Sequence, residues 1–477
     1  MSLRSLFNRL FKDRDEFDLT SGSIARPMFY LSLPIVVTNL FQTAYNLADT
    51  YWLGQYSTNA LAAISFAFPV VFLLISLGTG LSVAGSVLVA QHIGAGESER
   101  AEYAASQTVS IATLGSLLLS AIGYPFVDDI LALLGASPAV HTGATAYMEV
   151  ITVGIVFMFG FFVFMSLMRG YGDTVTPMMV MFGSVVLNII LDPFLINGWS
   201  VFPEMGIQGA AVATVVCRAG AAIVGLWIML RGTRGVHISL SKMTPDLTYA
   251  KKLVSLGAPA SLEGAGRALS VNFLLVIVGT FSTSVVAGYG IGTRVFSVIF
   301  LPAIAVSQGV ETMTGQNVGA GKEGRAERVN HITALALFGL LSAVAAIVWL
   351  GAPQIAAVFS NDPEVIAVST EFLRYVAPTF GFIGVMRAYT GGFRGTGYTI
   401  IAAAITIATL GFIRLPAAWL GTTVLPFGRS GLWIAFAISN VLGGIIAYLW
   451  FIRGTWQNAD VRTSDDELGH SAVANDD

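Results

Sequence analysis

Long runs of apolar residues, broken by short polar segments, repeat along most of the chain. Twelve such runs lie near 28–53, 61–91, 103–126, 143–168, 176–197, 206–230, 252–278, 284–316, 328–350, 366–392, 399–420 and 431–452. A helix needs about 20 apolar residues to cross a bilayer, and every run is long enough. The pattern therefore predicts an all-α polytopic membrane protein with twelve transmembrane helices. The runs contain Gly, Pro or polar residues, interruptions that are tolerated where protein or water satisfies the backbone.

The polar segments divide by charge. One set carries the N-terminal basic residues together with Arg100, Arg169, Arg231, Arg234, Lys242, Lys251, Lys252, Lys322, Arg325, Arg328, Arg394 and Arg453. The other carries Asp128, Asp129, Glu204, Asp362 and Glu364, with Arg429 its clearest basic residue. Lys and Arg favour cytoplasmic loops, so a multi-pass plasma-membrane protein with both termini in the cytoplasm is expected. Residues 1–27 mix Arg4, Arg9, Lys12 and Arg14 with Asp13, Asp15, Glu16 and Asp18, and no apolar core with a small-residue cleavage site precedes the first run. Leu6, Phe7, Leu10 and Phe11 among these basic residues suit a short interfacial helix. The acidic, small and polar tail over 454–477 reads as disordered.

Composition narrows the function. Of the 477 residues, 55% are hydrophobic and 11% charged, against about 25% charged in a soluble domain. With a mean hydropathy of +0.74, a soluble enzyme, a disordered scaffold and a nucleic-acid binder are excluded. The net charge of -3 is too small to indicate a charged partner. A single cysteine, Cys217, rules out an intrachain disulfide framework and a multi-cysteine metal site. The five histidines lack ligand spacing.

The chain also repeats itself at an offset of 225 residues. Pro34 matches Pro259, and Gln91, Gly94, Ala95 and Gly96 match Gln316, Gly319, Ala320 and Gly321. Arg100, Ala101 and Glu102 match Arg325, Ala326 and Glu327, and Arg169, Gly170 and Gly172 match Arg394, Gly395 and Gly397. Six helices per half is an even number, so both halves enter the membrane in the same sense. This is a parallel repeat of two six-helix lobes, an architecture suited to alternating access about a central cavity. The expected organisation is a cytoplasmic segment over 1–27, a first lobe over 28–231, a basic connector over 232–250, a second lobe over 251–453, and the tail.

Function is expected where the halves differ. Asp49 lies in the first run and its repeat partner is Leu274; Asp192 lies in the fifth. A carboxylate at membrane depth is costly unless protonated or paired. Asn188 and Asp192 are four apart and share a helix face. With Asp49 they offer oxygen ligands for Na⁺ or two carboxylates able to share a proton. Gln42 and Tyr45 precede Asp49 on the same face, and Thr214 adds a hydroxyl from the sixth run. Pro34 kinks the first helix; the bend is either static or dependent on the ion state of Asp49.

In the second half, Glu263 and Arg267 are spaced i, i+4 and can pair; alternatively Glu263 faces a cavity and a cationic substrate. Arg294, Glu311 and Arg387 also lie in or near runs, and Arg387 joins Glu263 as a candidate for the substrate cavity. Phe157, Phe161, Phe162 and Met165 in the fourth run are candidates for a promiscuous pocket. The Gly-Ala-Gly turns end without the Lys-Ser/Thr of a P-loop, which argues against ATP-driven transport by this chain alone.

These residues carry a resemblance. Pro34 through Tyr45-Asn46-Leu47-Ala48-Asp49-Thr50, Gln91-His92-Ile93-Gly94-Ala95-Gly96, Met168-Arg169-Gly170-Tyr171-Gly172, Asn188 to Pro193, Gly209-Ala210-Ala211 with Thr214, Gly315-Gln316-Asn317-Val318-Gly319-Ala320-Gly321 and Phe393-Arg394-Gly395-Thr396-Gly397 resemble the multidrug and toxic compound extrusion (MATE) family, over about 28–453. The branch most similar is the DinF type, which includes archaeal members. The resemblance implies two six-helix lobes, antiport of drug cations, and a coupling-ion site in the N-terminal lobe. Carried over, that site falls on Asp49, Asn188, Asp192 and Thr214, with Gln42 and Tyr45 nearby; the helix-bending proline is Pro34. Two departures stand out: Met165 occupies a position where relatives often have Asn, and the tenth run has Arg387 and no carboxylate, so Glu263 matches the NorM-type acidic pattern only in part.

The resulting expectation is a non-enzymatic, monomeric efflux transporter for organic cations or amphipathic compounds, needing no cofactor and coupled to H⁺ or Na⁺. One rival is a lipid-linked oligosaccharide flippase, which needs a strongly cationic cavity, whereas most Arg and Lys here fall in loops. Another is an integral-membrane prenyl-transferring enzyme, which needs an Asp-x-x-Asp cluster inside a run, and none is present.

Overall fold

The computed structural model describes residues 10–133, 135, 137–458 and 461. It is built from helices, with no strand among the described residues. Twelve long helical segments follow one another: α1 (Ala25–Tyr56), α2 (Thr58–Ala95), α3 (Ser98–Gly123), α4 (Pro138–Tyr171), α5 (Val175–Asn197), α6 (Gly206–Arg231), α7 (Leu247–Val278), α8 (Thr283–Gly319), α9 (Glu323–Leu350), α10 (Pro363–Val376 and Phe380–Gly395, joined by a 3-10 turn over Ala377–Thr379), α11 (Thr399–Val424) and α12 (Ser430–Phe451). Each coincides with one predicted run.

Ten of the twelve are long and apolar enough to cross a membrane by length and composition. The other two are α1, with Asn39, Gln42, Asn46 and Asp49 from its middle onward, and α10, with Arg374 and Arg387. Large apolar side chains stand exposed along these helices, among them Leu47, Leu118, Val276, Leu335 and Ile347. In water such a surface would aggregate; facing acyl chains it costs nothing. The α2 and α8 helices have 38 and 37 residues. At 1.5 Å per residue each reaches about 55 Å, well past the hydrocarbon core.

Of the proposed N-terminal interfacial helix, Leu6 and Phe7 lie outside the described residues; within them Arg14–Glu16 forms a single 3-10 turn. The tail beyond 458 lies outside them too, apart from residue 461.

The chain forms two compact units. Leu33–Ser261, with the segment up to Asp18, makes the first, and Leu19–Ser32 with the chain from Leu262 onward makes the second. Of the three crossings, two fall inside helices, one residue before Pro34 in α1 and just after Pro259 in α7. In the first unit Leu53, Ala63, Tyr147, Met148, Ile196 and Ala210 are core residues. In the second, Tyr289, Phe372, Phe380, Trp433 and Phe436 form an aromatic centre.

The sequence repeat is also a repeat of contacts. A Cβ on Gly170 would sit 2.5 Å from the Ser86 carbonyl oxygen, and one on Gly395 would sit 2.3 Å from that of Glu311. Each pair is its counterpart moved by 225 positions, so the same close helix crossing is built twice. The turns repeat as well: Gly96 and Gly321 have φ of 78° and 65°, and Gly172 and Gly397 have φ of 106° and 91°. Only glycine adopts this conformation without strain, which explains why these glycines recur at one offset.

The segment leading into each half is tied down by side chains. Before α1, the carbonyls of Leu19, Thr20 and Ser21 accept from Asn317, Lys322 and Arg325. Before α7, Gln107 and Ser110 of α3 donate to the carbonyls of Lys242, Thr244 and Met243. Tyr103 donates to the Asp246 carboxylate at 2.9 Å, and Asp246 also accepts from the backbone N–H groups of Thr248 and Tyr249. Burial pushes the Asp246 carboxyl up, but these hydrogen bonds outweigh it and hold it below its ordinary range.

Candidate functional site

The first unit gathers polar side chains from α1, α5 and α6. Asn188 and Asp192 lie one turn apart on α5, both fully buried, and the Asn188 Nδ2 donates to Asp192 Oδ1 at 3.0 Å. Asp49 of α1 and Thr214 of α6 are also buried. The Asp49 carboxyl lies beside Asp192, Asn188 and Thr214, close enough to interact with all three. The α5–α6 register that presents Thr214 is fixed by a close crossing: a Cβ on Gly209 would sit 2.3 Å from the Leu195 carbonyl oxygen. One turn of contact further along, the Ser184 hydroxyl donates to the Cys217 carbonyl at 3.3 Å.

Five buried oxygens cluster here, none with a well-formed hydrogen bond: the Tyr45 hydroxyl, Asp49 Oδ1, Asn188 Oδ1, Asp192 Oδ2 and Thr214 Oγ1. A buried polar atom without a good partner costs about 1–3 kcal/mol, and an ion bound among these oxygens on three helices would offset that cost. An all-oxygen set suits a small hard cation such as Na⁺. Two adjacent carboxylates equally suit a shared proton. The residues on hand therefore fit either coupling ion.

The sequence reading missed Arg218. It lies one turn after Thr214 on α6 and is buried. Its Nη2 donates to Gln42 Oε1 at 2.8 Å, and Nη1 lies 3.3 Å from the Met181 sulfur. The guanidinium sits 4.6 Å above the Tyr45 ring and 5.0 Å from that of Phe161. Asp49 feels its charge. The signal is present in the sequence, since an Arg inside the sixth apolar run is as costly as an Asp. Gln42 and Tyr45 thus join the site through Arg218. Gln42 also donates to Asn46 Oδ1. Pro34 stays within a continuous α1, and its carbonyl accepts from Thr38 Oγ1 at 2.8 Å.

The candidates proposed for a substrate cavity scatter. Phe161 is fully buried against Arg218 and Phe162, Phe157 is 37% exposed, and Met165 is half-buried. Glu263 neither pairs with Arg267 by hydrogen bonds nor stands open to a cation. Arg394 Nη2 donates to both of its oxygens at 2.8 and 3.0 Å, Arg394 Nε to Oε2 at 3.3 Å, and Thr406 to Oε1 at 3.1 Å. The i, i+4 spacing allowed the Arg267 pair, but a bidentate guanidinium from α10 makes the better geometry. The reading of Arg394 as a loop residue is corrected with it. Arg387, by contrast, does line a cavity. That cavity, about 530 Å³, lies within the second unit among α7, α8, α10, α11 and α12, and Arg267 and Arg414 line it too.

Known proteins bear on this arrangement. The family model MatE matches residues 34–194 and again 259–420, about two thirds of the chain. The chain belongs to the MatE family. The two matched blocks begin 225 residues apart, so the family unit is the same repeat read from Pro34 and Pro259. The chain is 28% identical to a FAD transporter of Shewanella oneidensis, over 91% of this chain and 96% of that one. It is also 28% identical to the probable multidrug resistance protein NorM of Thermotoga maritima, over 94% and 96%. A multidrug resistance MATE transporter in an outward-facing conformation shares the fold, with a TM-score of 0.86 at 24% identity, over 94% of this chain and 100% of that one. This MatE chain is accordingly a multi-pass helical membrane protein.

Proposed function

We propose that this MatE-family chain is a secondary active efflux transporter of the plasma membrane. It exports amphipathic small molecules by antiport with H⁺ or Na⁺, and both termini face the cytoplasm. The observation that carries the reading is the cluster of five buried oxygens on Tyr45, Asp49, Asn188, Asp192 and Thr214. With Asp49 and Asp192 both ionised the group holds two negative charges against the one positive charge of Arg218, so a single proton or Na⁺ neutralises it. An ion bound there in one conformation and released from another shifts the transport equilibrium by the difference in its two affinities. Relatives named as a FAD transporter and as a multidrug resistance protein support small molecules as the cargo.

The test is gradient-driven efflux from proteoliposomes loaded with ethidium or with FAD. A pH gradient and a Na⁺ gradient are imposed separately, with Asp49→Asn beside the native chain. Efflux driven by one gradient and abolished by the substitution names the coupling ion. Gradient-driven efflux that survives Asp49→Asn sinks the coupling role of this site.

A further inference from the structure

We infer that the cavity of the second unit binds aromatic organic anions, and that Arg267, Arg387 and Arg414 receive the acidic group. As a transport-substrate site it rests on the efflux reading above; as a binding site it does not.

The cavity, at about 530 Å³, falls within the range of drug-sized pockets. Its walls carry aromatic rings, including Tyr289, Phe296 and Phe436, and three arginines, with no Asp or Glu among the lining residues. The Nε atoms of Arg267 and Arg387 are buried with no hydrogen-bond partner. Arg414 is 8% exposed, and its hydrogen bonds go to neutral acceptors only, the Ser439 hydroxyl and the Asn440 side-chain oxygen, both at 2.8 Å. Its guanidinium lies 4.2 Å from the Phe436 ring centre. A buried guanidinium with no carboxylate against it is a charge lacking its counter-ion. The nearby acids do not supply the deficit. Glu263 is bonded to Arg394, and Glu311 lies near Arg394 as well. Those two carboxylates face Arg267, Arg387 and Arg394, which leaves one positive charge before Arg414 is added.

The backbone is shaped around this site. From Ala408 to Arg414, α11 widens into π-helix, and Thr409, Leu410 and Arg414 from this stretch all line the cavity. Such departures from α-helix occur often at functional sites. The repeat adds an independent comparison. Moved by 225 positions, Gln42 becomes Arg267 and Asp49 becomes Leu274, and both Arg267 and Leu274 line this cavity. The copy that in the first unit carries carboxylates has the opposite polarity in the second. Planar guanidinium groups over aromatic walls match a flat apolar body bearing a carboxylate, sulfonate or phosphate.

A matched pair of probes isolates the charge. FMN and riboflavin share the isoalloxazine ring and differ by a phosphate. Binding is followed by flavin fluorescence polarisation, with the full chain in nanodiscs of zwitterionic lipid and no ion gradient. FMN is expected to bind at least about tenfold tighter than riboflavin. Arg267→Gln and Arg387→Gln should each remove most of that preference, while Arg267→Lys, which keeps the charge, should retain more of it. Equal or tighter binding of riboflavin, no binding of FMN, or an unchanged preference in both Gln variants overturns the proposal. Displacement of FMN by anionic lipid added to the disc gives the cavity to lipid headgroups and overturns it too. Binding is read on the native chain and the arginine variants alone, without any ion gradient. Failure of gradient-driven efflux with FMN binding intact therefore counts against antiport alone.

Discussion

Replacing Arg218 by Gln should tighten binding of the coupling ion. The guanidinium is held in place by its 2.8 Å hydrogen bond to Gln42 and by the Tyr45 and Phe161 rings at 4.6 and 5.0 Å, so it cannot swing away when a cation arrives. A unit charge a few ångströms from a binding site, at an effective dielectric of about 20, contributes roughly 2–4 kcal/mol. Relaxation and entry of water reduce that, yet even about 1.4 kcal/mol is tenfold in affinity. The ion concentration at half-saturation should therefore fall at least about tenfold, and turnover should slow because release becomes harder. Thermal unfolding in detergent, followed against Na⁺ and separately against pH, reads this directly, because an ion that binds only the folded chain raises its stability with concentration. Asp49→Asn should flatten the curve for the coupling ion, which shows that the curve reports this site. Arg218→Lys should keep the native midpoint more closely than Arg218→Gln does. A midpoint for Arg218→Gln that stays put or moves to higher ion concentration refutes the view of Arg218 as the internal competitor of the ion.

Glu263→Gln leaves Arg394 buried and without its bidentate partner; a loss of about 3–5 kcal/mol is expected, read as a lowered Tm, and the double variant Glu263→Met with Arg394→Met should recover a large part of it. Asp246 makes a pH-dependent contribution: its carboxyl is held low in the folded chain, so its contribution is full above the unfolded value near 3.8 and is lost as pH falls through the lower folded value. Asp246→Asn should therefore lower Tm by a constant amount between pH 7 and pH 5, and the gap from the native chain should narrow only below about pH 4; a gap that closes on going from pH 7 to pH 5 contradicts this.

The fold was legible in the sequence because a bilayer imposes one rule on every spanning segment, and because the repeat fixes contacts as well as residues. Gly170 and Gly395 recur since each lets a neighbouring backbone come within van der Waals distance, at Ser86 and at Glu311. Asp49, Asn188 and Asp192 were legible for a related reason: charge and amide groups deep in apolar runs stand out one by one, and the i, i+4 spacing on α5 became a 3.0 Å hydrogen bond. What stayed hidden was pairing across helices. Glu263 could reach Arg267 on its own helix, and nothing in the spacing says that Arg394, 131 residues later, reaches it first. The same blindness concealed the polarity of the second unit. Arg267, Arg387 and Arg414 belong to three different runs, and each taken alone reads as a residue to be neutralised by some acid. Only the packing shows that the available acid is spent on Arg394 and that the remaining guanidinium groups share one cavity. Most basic residues lie in or near loops, yet the few that do not are the ones that set the charge of the interior. In a protein with so few charged residues, the sign of each cavity rests on two or three side chains, and it becomes readable only when their partners are known.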